Sequence, residues 1–302
     1  MKSTTVRRVG LAAAVVTALS GTAACGFSGS SGGGKDDRAS GPGTARLSPV
    51  AALRSAERST GGADSAEVES TTTMGSLMSM KADGALGWAD GLTGDLTITY
   101  TGGSVADTMR RLGTTSMEAR YLPDAYYARM GDRFARQAGG RHWIRYGYAD
   151  LAALGGSSGA YLKDQMQNTT PNQSVKLLLA SGDVRKVGTE KVRGVEATHY
   201  SGTVDVADLA GKNSGLSAGQ LAGLRRQLTQ AGVSTETVDI WIDGRDLLVK
   251  KIEKGRMSAG EYSQTAYYSH YGVKASAAEP PAGDTEDFRK LLKNRNLTGG
   301  GS

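Results

Sequence analysis

Between Asp64 and Val273, apolar, β-branched and aromatic residues alternate with polar ones in a succession of short runs bounded by turn residues. A period of two marks strands with one face buried. The pattern predicts strands over Asp64–Met74, Leu77–Trp88, Asp95–Thr101, Thr114–Leu122, Ala125–Met130, His142–Tyr148, Val184–Val192, Val195–Val206, Thr235–Ile242, Leu247–Met257 and Glu261–Val273. Around Ile240 the split is clean, because Val238, Ile240 and Ile242 share one face while Asp239, Trp241 and Asp243 share the other. Tyr121-Leu122-Pro123-Asp124-Ala125-Tyr126 and Ile242-Asp243-Gly244-Arg245-Asp246-Leu247 are the clearest hairpin turns.

Helix signals are fewer and sharply punctuated. Ser48 can cap a helix with Pro49 in its first turn, running to about Ser59 and stopped by Gly61-Gly62. Thr170-Pro171-Asn172-Gln173 supplies a cap, a first-turn proline and a capping-box glutamine for a helix that carries Val175, Leu178 and Leu179 and ends at Gly182. A third helix, from about Ala218 to Ala231, aligns Leu221, Leu224 and Leu228 on one face and stops before Gly232. Sequential antiparallel strands with a few helices give an α+β meander, and residues 46–275 form one domain with no internal linker.

The ends of the chain are of a different kind. Lys2, Arg7 and Arg8 precede an uncharged run from Val9 to Ala24, the charged and apolar parts of an export signal over residues 1–24. That run is too short and too rich in Ala and Gly to make a good spanning helix, which needs about 20 strongly apolar residues. Residues 25–45 are dominated by Gly, Ser, Asp and Lys, so they cannot bury enough apolar surface to order themselves. They read as a flexible tether with a reach of about 25 Å. Residues 276–302, with Pro280-Pro281 and a Gly-rich end, read as a mostly flexible tail in which a short helix over Thr285–Lys293 can dock. Removing the signal takes away three cations and leaves 33 basic against 30 acidic residues. That mild excess, without a basic run or interleaved aromatics, argues against nucleic acid.

The signal ends in Thr22-Ala23-Ala24-Cys25-Gly26, with the single cysteine of the chain. This resembles the lipobox of bacterial lipoproteins, although Thr22 stands where an aliphatic residue is usual. The resemblance implies cleavage before Cys25, a diacylglycerol and palmitate-type lipid anchor on its thiol, and a place on the extracytoplasmic face of the cell membrane. Arg7-Arg8 leaves the twin-arginine and general export routes both open.

The order of elements resembles the LolA-like and LppX/LprG-like lipoproteins. The local matches are Val192-Arg193-Gly194-Val195-Glu196-Ala197-Thr198-His199-Tyr200 and Val238-Asp239-Ile240-Trp241-Ile242-Asp243-Gly244. The resemblance spans Ser48 to Val273 and implies a curved antiparallel half-barrel sheet whose concave face is covered by helices, with an apolar cavity between them. Members with an open cavity carry lipids or lipidated molecules, glycolipids among them. Others act as envelope sensors or regulatory subunits through protein–protein contacts. An acyl chain leaving a bilayer exposes about 0.8 kcal/mol of unfavourable surface per methylene, so a carrier needs a dry cavity. The candidate lining is Val175, Leu178, Leu179, Leu221, Leu224 and Leu228, with Met78, Met80 and Met117 as adaptable fillers. For the sensor class the candidate surface is the tyrosine-rich strands, with Tyr121, Tyr126, Tyr127, Tyr267, Tyr268 and Tyr271 facing an envelope partner.

Catalytic signatures do not accumulate. Gly215-Leu216-Ser217-Ala218-Gly219 has the spacing of a nucleophile elbow, but a loop-like Lys212-Asn213-Ser214 precedes it and Ser217 is placed to cap the following helix. His142, His199 and His270 sit in separate predicted strands without a ligand-spaced partner. No phosphate-cradling or dinucleotide glycine motif is present. A non-enzymatic protein without cofactor or metal is the expectation.

Overall fold

A computed structural model describes residues 48–153, 170–207, 218–230, 232–257 and 260–292. The chain opens with helix α1 (Pro49–Gly61), where the Ser48 hydroxyl accepts the Ala51 N–H at 3.2 Å and Pro49 fills the first turn. Six strands follow, β1 (Ser65–Met74), β2 (Met78–Gly87), β3 (Thr93–Gly102), β4 (Ser116–Tyr121), β5 (Ala125–Arg129) and β6 (Trp143–Gly147). Short helices α2 (Gly103–Arg111) and α3 (Asp132–Gln137) interrupt them, and α4 (Tyr148–Ala153) follows β6. Next come α5 (Asn172–Ser181), β7 (Arg185–Val192), β8 (Val195–Asp205), α6 (Ala218–Gln230), β9 (Thr235–Asp243), β10 (Leu248–Met257), β11 (Gly260–Ser269) and β12 (Thr285–Asp287).

All twelve strands join one open, curved sheet in the order β12-β6-β5-β4-β3-β2-β1-β11-β10-β9-β8-β7. Two meanders run outward from the antiparallel pair of β1 and β11, in which Val68 faces Tyr268. After β6 the chain crosses from one side of the sheet to the other, and α4 and α5 lie on that crossing. β2 and β3 approach closely at two glycines. Gly84 and Gly94 both hold positive φ, and a β-carbon on Gly84 would lie 2.1 Å from the Asp95 carbonyl oxygen. Only glycine occupies that conformation without strain.

The sheet has two unlike faces. The inner one carries most of the core, including Met78, Met80, Leu86, Ile98, Met117, Ala119, Val238, Ile240 and Leu248. α5 packs on β8, β9 and β10, α1 lies along α5, and α2 packs on β2 and β3. The outer face holds two small clusters, one of Val192, Ala197, Trp241 and Val249, the other of Ala125, Tyr127 and Trp143.

The eleven strands and three helices expected from the alternation and capping signals are all present, within a few residues at their ends. Three helices escape that reading. α3 and α4 each span six residues, too few for a 3.6-residue period to register, and α2 starts after Gly102 without any side-chain cap. The cap expected at Thr170 is also different: the Thr170 hydroxyl donates to Asn172 Oδ1 at 2.7 Å, and α5 begins after Pro171 with no side-chain cap bond. In the tail, Thr285–Asp287 forms β12, parallel to β6, and a helical turn occupies 288–292. The partners that hold it are distant in sequence, namely Arg141 on Glu286 and His142 on Asp284. Cys25, the tether and Ser217 lie outside the described residues.

Candidate functional site

The helix-covered inner face is where the proposed lining residues come together. Val175, Leu178 and Leu179 project from α5 into the core and are buried, as is Leu228 of α6. Leu221 is half-buried against the same cluster, and the side chain of Leu224 lies outside the described residues. Leu178 reaches the backbone of β8, where its Cδ1 would stand 2.7 Å from a β-carbon on Gly202. A larger residue at 202 would push α5 off the sheet, so the glycine sets how closely helix and strand approach. Met78, Met80 and Met117 are buried on the same face.

Two features of this face were not expected from sequence. The first is a row of rings, with centroid spacings of 5.1 Å from Tyr121 to Tyr126, 5.7 Å from Tyr126 to Tyr146 and 4.7 Å from Tyr146 to Phe288. Tyr100 and Tyr148 belong to the same buried cluster. Burial pushes the Tyr100 phenol up to about 12, and burial with neighbouring tyrosines raises Tyr126 well above the ordinary phenol value. The hydroxyls of Tyr126 and Tyr148 are buried and have no hydrogen-bond partner among the described residues. The signal that marks these residues is the strand alternation itself: Leu96, Ile98 and Tyr100 share a face of β3, and Tyr121 pairs with Tyr126 across the β4–β5 hairpin.

The second feature is a polar cluster beneath α5. Lys251 Nζ donates to Glu253 Oε2 at 3.0 Å, and the Ser174 hydroxyl donates to Glu253 Oε1 at 2.5 Å. Beside them Gln264 donates to Thr72 Oγ1 at 3.2 Å, while its own Oε1, also buried, has no partner among the described residues. Glu236 lies in the same buried region, and desolvation together with the Glu253 charge raises it well above the usual carboxylate range, against a smaller pull from Lys251. A neutral carboxyl beside an ion pair keeps the net charge of this pocket of the core near zero.

The tyrosines proposed to face a partner are placed otherwise. Tyr121, Tyr126, Tyr127 and Tyr268 are buried, Tyr267 is half-buried beneath Arg193, and Tyr271 donates its hydroxyl to the Leu248 carbonyl at 2.5 Å. Period-two alternation directs each ring into one face or the other of the sheet, so a tyrosine-rich strand here is a core strand. Each histidine takes a carboxylate from elsewhere in the chain: His142 from Asp284 at 2.7 Å, His199 from Asp239 at 2.8 Å and His270 from Glu67 at 2.7 Å. The three pairs occupy separate places, and among the described residues no group of three or more His, Cys, Asp or Glu side chains is set to hold a metal ion.

No protein-family model matches the chain. It is 59% identical over 256 residues to an uncharacterised 31.2 kDa protein from the rplA–rplJ intergenic region of Streptomyces griseus, covering 84% of this chain and 84% of that protein. It is 53% identical over 313 aligned residues to a candidate lipoprotein of Streptomyces coelicolor, covering 98% of this chain and 99% of that protein. The chain belongs to this family of Streptomyces proteins. Among solved structures, this family member is similar to the Mycobacterium tuberculosis lipoprotein LppX, with a TM-score of 0.45 and 16% identity over 76% of this chain and 98% of that one. It is also similar to LprF from Mycobacterium bovis, with a TM-score of 0.45 and 14% identity over 78% of this chain and 97% of that one.

Proposed function

We propose that the protein is an extracytoplasmic lipoprotein, held at the outer face of the cell membrane by lipid on Cys25, which binds a lipid or lipidated molecule against the inner face of its sheet. The cysteine at the end of a segment with the pattern of an export signal supports the anchor. A relative named as a candidate lipoprotein, aligned over nearly the whole of both chains, supports it.

The observation that carries the binding reading is the pairing of an apolar wall with idle polar atoms. Among the described residues the Tyr126 and Tyr148 hydroxyls, amid Met, Leu, Ile and Tyr side chains, and Gln264 Oε1, in the polar cluster beside them, are buried without partners. A core packed for stability alone rarely leaves such groups unbonded, because each costs about 1–3 kcal/mol. An amphiphile resolves both: its hydrocarbon covers the apolar wall, and hydroxyl or ester groups of a lipid or glycolipid satisfy the polar atoms. The role is binding, with no catalytic step.

The full chain with Cys25→Ser tests both parts. The variant should leave the membrane fraction and appear as exported soluble protein. Organic extraction of that purified protein followed by mass spectrometry should return lipid in near-stoichiometric amount. Tyr126→Phe with Tyr148→Phe should change which lipid class is recovered. Membrane retention equal to the parent would overturn the anchor, and a lipid-free extract would overturn the binding.

A further inference from the structure

The two segments that carry the family resemblance, around Arg193 and around Ile240, meet on the outer face of the sheet, away from the helices. Val192 and Val195 pair across the turn Arg193-Gly194, whose φ values are 49° and 87°. Two successive positive φ angles make the turn whose twist suits a tight hairpin. Its tip folds back across the outer face. The Arg193 guanidinium makes two 2.7 Å hydrogen bonds to Glu69 of β1 and lies 3.9 Å from the ring centre of Tyr267 in β11. Behind the tip is a cavity of about 250 Å³, walled by Val192, Val195, Val249 and Tyr267, with Arg245 and His270 also lining it.

The other side of this hairpin is open. Among the described residues β7 pairs with β8 alone and ends the sheet. From Arg185 to Lys191 every side chain is exposed or half-exposed. The two large hydrophobic side chains that stand exposed among the described residues both belong to the hairpin, Val187 at 59% and Val195 at 44%. Val187 falls where the ladder shifts register between Lys186 and Gly188, leaving a regular edge from Gly188 to Val192.

We infer that the free edge of β7 docks an extended acidic segment of a partner protein, which adds as a further strand beside Gly188–Val192 and sets an apolar side chain at the hairpin tip. In an antiparallel ladder alternate N–H and C=O groups of β7 point away from β8, and an added strand pairs them while nearby pockets select its side chains. Charge selects the partner. β7 carries Arg185, Lys186 and Lys191 against one acid of its own, Glu190, whose carboxylate accepts the Trp241 indole N–H; Arg185 lies 3.8 Å from Asp183 and Lys191 stands across from Glu196 of β8, which leaves Lys186 and Lys191 as the cations offered to a partner. Two copies meeting edge to edge would bring these cations together, so the charges that guard the edge against self-pairing favour an acidic strand. The exposed Val195 at the tip and Val187 give that strand apolar contacts. None of this depends on what the inner face binds.

The test uses the full chain in mild detergent and two labelled peptides, five Glu-Val repeats and five Lys-Val repeats, read by fluorescence anisotropy and by amide hydrogen exchange. The acidic peptide should bind at least about tenfold more tightly than the basic one, with the gap narrowing at high salt. It should slow exchange at β7 amides. Lys186→Glu with Lys191→Glu, both exposed positions, should reverse the preference, and Val195→Asp should weaken the acidic peptide while far-ultraviolet circular dichroism stays unchanged. Equal affinity for the two peptides, no binding of either at millimolar concentration, or protection confined to other strands would each overturn the inference.

Discussion

Lys251 and Glu253 stand two residues apart on β10 with their charged atoms 3.0 Å apart, and both side chains are withdrawn from solvent beneath α5. A buried pair of this kind repays the cost of its own desolvation only while both members are present. Lys251→Met alone strands the Glu253 charge and should cost about 3–5 kcal/mol of unfolding free energy. Adding Glu253→Gln removes the charge and keeps an acceptor for Ser174, so the double variant should recover at least half of the loss. Urea denaturation of both variants measures this. A double variant no more stable than Lys251→Met would show that the pair is not the source of the cost.

Glu236 gives a pH dependence of determined sign. Its folded carboxyl, raised by burial and by Glu253, keeps its proton where the unfolded chain, titrating near the ordinary 4.5, has lost it. The folded state then binds more protons than the unfolded state above that value. Its contribution is fully present below 4.5 and drains away as pH rises through the folded value. Glu236→Gln keeps the shape without the titration, so its stability should gain on the parent as pH rises above the ordinary 4.5 towards the raised folded value. Parallel stability curves for the two proteins across that range would contradict this account.

Leu178 tests how closely helix and sheet are packed. It is fully buried in α5 and abuts Gly202 of β8. Truncation to Ala should cost about 2–5 kcal/mol, seen as a lower urea midpoint at unchanged slope. Gly202→Ala should be destabilising for the opposite reason, because its β-carbon would fall 2.0 Å from the Asp183 carbonyl oxygen. If Leu178→Ala is neutral, the inner face is not close-packed at this point.

Much of this fold is readable in the alternation of residues because the sheet buries two unlike faces and each strand reports which side is which. Val238, Ile240 and Ile242 face inward, as their period implies. On the opposite face Trp241 and Asp243 are buried as well, because the β7–β8 hairpin returns over them. A single strand's pattern cannot show that a distant hairpin will cover its outer face. The same limit applies to the polar cluster: nothing within a single strand marks Glu236, Lys251, Glu253 and Gln264 as buried, and only the alignment of β9, β10 and β11 brings them under Ser174. β12 was invisible for a related reason, since three residues cannot establish a period and their stability comes from partners more than a hundred positions away. The buried residues of α5, Val175, Leu178 and Leu179, are legible because a helix shows its apolar face within a few turns.

The tail strand is held by a carboxylate whose titration runs opposite to that of Glu236. Asp284 Oδ1 accepts the backbone N–H of His142 at 2.9 Å and meets its Nδ1 at 2.7 Å, with Asp132 3.4 Å from the other ring nitrogen. These donors hold Asp284 below the usual carboxylate value, the backbone bond contributing most. The folded state therefore binds fewer protons than the unfolded one near the ordinary 3.8, and the contribution of Asp284 is present above that value and lost as pH falls through the folded one. β12 is three residues long, and Arg141 on Glu286 is its other ion pair with the segment before β6, so its grip on β6 should respond to Asp284 locally. Asp284→Ala should speed amide exchange at Thr285–Asp287 at neutral pH while leaving β1 and β11 protected, and the parent should show the same local loosening in acid, below about pH 3. Unchanged exchange at β12 in the variant would mean that the strand is held by Phe288 against Tyr146 and by the Arg141 pair, without help from the His142 contact.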